Sequence, residues 1–182
     1  MQQKAGFGYF EDVSVQVLEM PYVGQDLSMI VLLPKKVGGL AEMERTLSVE
    51  RLAALQSSLH VRDVITYIPK FKLDTSFGLK PTLEALGMKL AFTPHADFSG
   101  ISTQEELSIS AVIHKAFVAV DEQGTEAAAA TGVVMRASAV RRPVPIPTFR
   151  ADHPFLFMIC DKKSDSILFM GRMIEPEKNS AK

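Results

Sequence analysis

The runs "MIVLLP" at 29–34 and "FLFMIC" at 155–160 are the longest continuous apolar stretches of the chain, and both are strand-sized. Neither approaches the roughly 20 residues that a helix needs to span a bilayer. In "LSMIVLLP" apolar residues do not alternate with polar ones, so both faces of that strand must be covered. A chain carrying such a strand needs a sheet with something packed on each side. The 182 residues, 47% of them hydrophobic and 23% charged, supply apolar material for one core. The length suits one domain or part of a larger one.

The flanking patterns extend the sheet. "VSVQVLEM" places Val13, Val15 and Val17 on one face of a half-buried strand. With "LSMIVLLP" it makes a hairpin over 16–34, turning at Gly24 to Asp26. Residues 38–60 change period and read as two helices. Ser48 is placed to cap the second, whose Leu52, Leu55 and Leu59 form one stripe. "DVITYIPKFKLDTSF" returns to strand, with Val64, Thr66 and Ile68 on one face and a bend or edge at Pro69. "KPTLEALGM" is a short helix entered near Pro81 and stopped at Gly87. "LSISAVIHKAFVAVDEQG" reads as a long strand with Val112, His114, Ala116, Val118 and Val120 facing inward. "RRPVPIPTF" is stiffened and extended by prolines, and "FLFMICDKKSDSILFMGRMIEP" makes two apolar strands around "KKSDS". The expected class is α+β: mostly antiparallel strands with three short helices.

Local signatures of catalysis are missing. A net charge of −1 gives no reason to expect nucleic acid or an anionic membrane as partner. His60, His95, His114 and His153 lie on different segments without ligand spacing, so no metal site is expected. Cys160 is the one cysteine and reads as a small buried hydrophobe. There is no Gly-rich phosphate loop and no nucleophile elbow, and no cofactor is called for.

"EQGTEAAAATGVVMRASAV", at 122–140, fits none of these patterns. It is short for a helix and weak in β-propensity. Together, "VAVDEQGTEAAAATGVV", "FRADHPFLFMI" and "SILFMGRMIEP" resemble the hinge, reactive loop and two closing strands of a serpin. The remainder agrees in order. "GYFEDVSVQVLEMPYVGQDLSMIVLLP" resembles strands of the family's smaller sheets. "VITYIPKFKLDTSFGLKPTLEALGM" and "AFTPHADFSGIS" resemble the sheet edge, helix and loop that follow. The resemblance covers residues 1–182 as the C-terminal portion of a single serpin domain, with a reactive loop at about 122–147. A complete serpin is roughly twice as long, so the Met1 start falls partway along the family's pattern.

The resemblance implies a suicide-substrate inhibitor of serine proteases rather than an enzyme. The exposed loop is cleaved, and the acyl-enzyme is trapped when the loop enters the large sheet as a new strand. Such a strand buries alternate side chains. Counting by two, Thr125, Ala127, Ala129, Thr131 and Val133 face inward, all small or β-branched, while Glu126 faces out. A charge at an inward position would cost several kcal/mol. The implied hinge is Glu122, Gly124, Thr125, Glu126, Ala127, Ala128, Ala129, Ala130 and Thr131, with Gly124 as a permissive pivot. His114 matches the histidine of the region where the large sheet opens. Lys70 and Glu122 are expected to form an ion pair holding the hinge. The family's spacing from the hinge glutamate implies a reactive bond at Ser138–Ala139, with Arg136, Arg141 and Arg142 as alternatives. Ser138 would suit an elastase-like target and an arginine a trypsin-like one.

An extracellular setting is expected over a cytoplasmic one. Two other readings stay open: a non-inhibitory serpin acting as a binding or carrier protein, and a structural fragment that pairs through open sheet edges. The chain alone is not expected to hold the sheet that trapping needs.

Overall fold

The structure is a computed structural model, and it describes residues 1–121 and 145–176. The chain divides into two compact units, one of Met1–Phe71 with Val120–Lys182 and one of Lys72–Ala119. The first holds a sheet with seven strands among the described residues: β1 (Gln2–Glu11), β2 (Val15–Pro21), β3 (Leu27–Pro34), β4 (His60–Tyr67), β7 (Thr148–Arg150), β8 (Phe155–Asp161) and β9 (Ile167–Met173). Their order is β7-β4-β1-β2-β3-β8-β9. All neighbours run antiparallel except β4 and β7.

The double-sided burial expected of "LSMIVLLP" is met in β3, whose last seven residues are all buried. On one face Ile30 and Leu32 join Val15, Val17, Leu156 and Met158 under two helices, α1 (Leu40–Thr46) and α2 (Val49–Ser57). Leu40, Met43 and Leu55 come down from those helices, with Leu52 and Leu59 at the margin. The expected stripe therefore packs into core. Ser48 caps α2 as expected, its side chain accepting from the Arg51 amide at 3.2 Å. On the other face Val31 and Leu33 are buried along with Leu18, Phe155 and Phe157.

β1 changes partner along its length. Gln2 to Tyr9 pair with β4, and Gly8 to Glu11 pair with β2. In a flat sheet β2 and β7 would lie three strand spacings apart, roughly 14 Å. Yet Gln16 of β2 donates from Nε2 to the carbonyl of Thr148 in β7 at 3.1 Å. The sheet must curl sharply at β1 for that bond to form.

One expectation fails beside it. Val13 was grouped with Val15 and Val17, but it is 97% exposed, in a bend before β2. Asp12 is the reason. Its Oδ1 accepts from the Ser14 amide (2.6 Å), the Ser14 hydroxyl (2.8 Å) and the Val15 amide (2.8 Å), closing a turn that ends the alternation. Burial pushes this carboxyl up, but the bonds from Ser14 and Val15 outweigh it and hold it below its ordinary value.

The second unit carries β5 (Phe71–Gly78) and β6 (Ile113–Val120), paired as a two-stranded sheet, with α3 (Lys80–Ala85) and a 3-10 turn at Leu90–Phe92. α3 stops as expected, with Gly87 at φ +102°, a conformation that favours glycine. The strand expected from "LSISAVIHKAFVAVDEQG" is shorter, beginning only at Ile113.

At Gly171 in β9 an added Cβ would stand 2.6 Å and 2.7 Å from two ring carbons of Phe157. Phe157 is buried and braced by the Phe71 ring at 5.3 Å, so it has little room to yield. Gly171→Ala is expected to destabilise the fold by about 1–3 kcal/mol through overpacking. Urea unfolding followed by circular dichroism checks this; an unchanged midpoint would show that the ring moves freely.

Candidate functional site

The segment singled out in the sequence is joined on one side to β6, which ends at Val120, and on the other to β7, which begins at Thr148. These strands belong to different sheets. The expected hinge from Glu122 to Thr131 and the candidate bonds at Arg136, Ser138–Ala139, Arg141 and Arg142 lie outside the described residues. So does the Glu122 half of the expected ion pair. Lys70 is described, exposed between β4 and β5.

His114 lies in β6 and is exposed, where the alternation had it facing inward. Ala116, Val118 and Val120 on the same face are half-buried. Among the described residues β5 is the only strand that β6 pairs with.

The C-terminal flank is more closely built. β7 pairs with β4 through Ile65, Thr66 and Tyr67 opposite Thr148, Phe149 and Arg150. The Ile65 amide donates to the Pro147 carbonyl at 3.0 Å, and the Ala151 amide to that of Tyr67 at 2.9 Å. Phe149 is fully buried and Ala151 nearly so. Gln16 Nε2 bridges the Tyr9 hydroxyl (2.7 Å) and the Thr148 carbonyl (3.1 Å). Arg62 donates to the Pro145 carbonyl at 3.3 Å. The Arg150 guanidinium lies 3.7 Å from the centre of the Tyr67 ring, within cation–π range. Just beyond, His153 places Nε2 2.6 Å from the Pro34 carbonyl and Nδ1 2.8 Å from Asp152 Oδ1, tying this stretch to the end of β3.

None of these fastenings was read from the sequence. Gln16 sits 132 residues before its partner, and only the curl of the sheet joins them. The Tyr67–Arg150 contact likewise depends on the parallel register of β4 and β7. The available hint was the proline-stiffened "PVPIP", which marks an extended approach and no partner.

Cys160 is buried in the core. Burial first, then the nearby charges of Glu19 and Asp165, push its thiol above the ordinary value. Among the described residues no group of three or more His, Cys, Asp or Glu side chains could hold a metal ion. No helix among them is long and apolar enough to cross a membrane.

Comparison with known proteins agrees with this geometry. The family model described as "Serpin (serine protease inhibitor)" matches residues 1–176. The chain is 46% identical to human Serpin B4 over 172 residues, covering 93% of this chain and 44% of that protein. It is 43% identical to the leukocyte elastase inhibitor of Bos taurus over 181 residues, covering 96% of this chain and 47% of that protein. The crystal structure of uncleaved ovalbumin superposes with a TM-score of 0.81 at 32% identity, over 97% of this chain and 44% of that one. The chain thus spans about half the length of the curated relatives it matches, and its fold is that of a serpin fragment.

The state of Cys160 can be checked directly. The raised pKa and the burial leave little thiolate at neutral pH. Iodoacetamide is expected to leave Cys160 unmodified in the native protein and to label it fully in denaturant, read by peptide mass spectrometry. Rapid native labelling would contradict its place in the core.

Proposed function

The chain belongs to the serpin family, and we propose that it is the C-terminal portion of a suicide-substrate inhibitor of serine proteases. The family is one of protease inhibitors rather than enzymes. The observation that carries the inhibitory reading is the run of Thr125, Ala127, Ala129, Thr131 and Val133 at alternate positions. All are small or β-branched, so the segment can become a buried strand without desolvating a charge. A carrier serpin under no demand to insert would not need this pattern.

In the proposed reaction the protease serine attacks the carbonyl of the reactive bond. The peptide C–N bond breaks, the new amine takes up a proton, and the loop stays esterified to the enzyme. The freed N-terminal arm then inserts from Glu122 onward, with Gly124 absorbing the backbone rotation. A Lys70–Glu122 ion pair would steady the hinge before cleavage. Exposed, it would contribute only about 0–1 kcal/mol. His114 would lie in the region where the sheet opens. Ser138–Ala139 is the proposed bond, which directs the inhibitor to an elastase-like enzyme. Cleavage after Arg136, Arg141 or Arg142 would direct it to a trypsin-like one. Nothing in the relatives favours the extracellular setting expected from the sequence over an intracellular one, and the proposal does not include it.

The inserting strand needs a sheet to receive it. Among the described residues β6 has β5 as its one partner strand, so trapping requires more of the protein than this chain. Apolar residues of β9 are also left in solvent, with Leu168 50% and Met170 56% exposed. The chain alone is expected to associate through such surfaces and to trap nothing.

The test is to mix the full-length protein with elastase-like and trypsin-like enzymes and look for a complex that survives denaturation. Such a complex is expected, and the mass of the released C-terminal peptide identifies the bond. Cleavage of the loop with no complex would favour the carrier reading. Thr125→Arg is expected to convert inhibitor to substrate, raising the number of inhibitor molecules consumed per protease inactivated by tenfold or more. Undiminished inhibition by that variant would refute the insertion step.

A further inference from the structure

A hollow of about 310 Å³ opens in the first unit where the turn between β1 and β2 meets α1 and the start of α2. Its walls have two characters. Val13, Val15, Pro34 and Met43 supply apolar surface, while Lys36 and Arg51 supply positive charge. Hydrogen bonds fix its rim. Asp12 closes the turn that carries Val13 and Ser14. The Lys35 amide donates to the Ser14 carbonyl at 2.9 Å, and the Gly39 amide to that of Lys36 at 2.8 Å.

The positive charge is not balanced in place. Arg51 is half-buried and spends two N–H groups on neutral oxygens, donating to Thr46 Oγ1 at 2.7 Å and to Ser14 Oγ at 3.5 Å. Among the described residues neither Arg51 nor Lys36 forms an ion pair. The carboxylate in the lining, Glu42, is paired with Arg45 at 3.3 Å. Asp12 offsets part of the Arg51 charge, but its bonds go to Ser14 and Val15. A guanidinium with donors to spare takes a planar two-oxygen anion in its fork. Val13 supplies the other half of the argument. It is apolar yet 97% exposed, because the Asp12 turn holds it out of the strand's alternation, and it borders this hollow. An apolar body resting there would remove that surface from water.

We propose that the hollow binds a small amphipathic carboxylate, with its head group on Arg51 and Lys36 and its apolar body against Val13, Val15 and Met43. A volume of this size lies at the lower limit for small-molecule sites. It suits a short aliphatic or single-ring acid and excludes a larger ligand. The site is independent of the inhibitor reading.

The test titrates phenylacetate into the full-length protein carrying isotope-labelled Val and Met methyl groups, followed by NMR. Phenylacetamide gives the same body without charge, and inorganic phosphate gives charge without the body. Saturable shifts are expected at Val13 and Met43 and none at Met173. Phenylacetamide and phosphate should each bind more weakly by about tenfold or more. Arg51→Gln should weaken phenylacetate by a similar factor. Arg51→Lys, which keeps the charge but loses the fork, should weaken it less. Lys36→Gln should weaken it by about threefold.

Shifts that never saturate, or that fall elsewhere in the molecule, would overturn the proposal. Equal affinity for phenylacetamide would also overturn it, by removing the role of the anion. Phosphate binding as tightly as phenylacetate would reduce the hollow to a plain anion site and overturn the amphipathic reading. If Arg51→Gln does not fold, Lys36→Gln decides the matter, since Lys36 is exposed and its loss opens no core. Unchanged affinity in that variant would then sink the proposal.

Discussion

The burial of β3 on both faces is the constraint from which the rest of the first unit follows. A strand that carries Ile30 and Leu32 on one side and Val31 and Leu33 on the other cannot leave either side in water. The five buried apolar residues from Met29 to Leu33, at about 1.5–3 kcal/mol for each fully buried large side chain, form a strong local demand. α1 and α2 answer it on one face. On the other face the Phe71 ring packs against Phe155 and Phe157. Further along the sheet the ladder passes from β4 to β2 around Gly8 and Tyr9, and the bend there brings Gln16 to Thr148.

Much of this was legible because it is encoded locally. The β2–β3 hairpin, the two-faced β3, the Ser48 cap, the leucine stripe of α2 and the Gly87 stop each depend on residues within one or two turns of one another. Val64, Thr66 and Ile68 were grouped by period alone and are all buried. Where alternation misled, a local polar group was competing with it. At Val13 the Asp12 carboxylate recruits three donors into a turn, which outweighs a pattern of three valines.

The candidate site divides along the same line. The proposed hinge was legible through a resemblance, which small residues at alternate positions next to a permissive glycine support. The fastening of β7 was not legible. Gln16, Arg62, Tyr67 and Arg150 have no shared period or motif, and each acquires a role only through strand order and register. His153 shows the same limit. It was set aside for lacking ligand spacing, yet both of its ring nitrogens meet oxygen, one of them the carbonyl that ends β3.

The exposed apolar strands connect fold to function. β9 shows Leu168 and Met170 to solvent, and β6 shows Ile113 and Phe117. Apolar surface of this kind is unfavourable in water, and the chain spans under half of the proteins it matches at 46% and 43% identity. The two facts have one explanation if the cover is supplied by sequence beyond this chain. The well-buried part, around β3 and β8, is self-sufficient because both of its faces are closed by residues 1–71 and 145–173. The second unit is less closed: β6 has β5 on one edge and, among the described residues, no strand on the other.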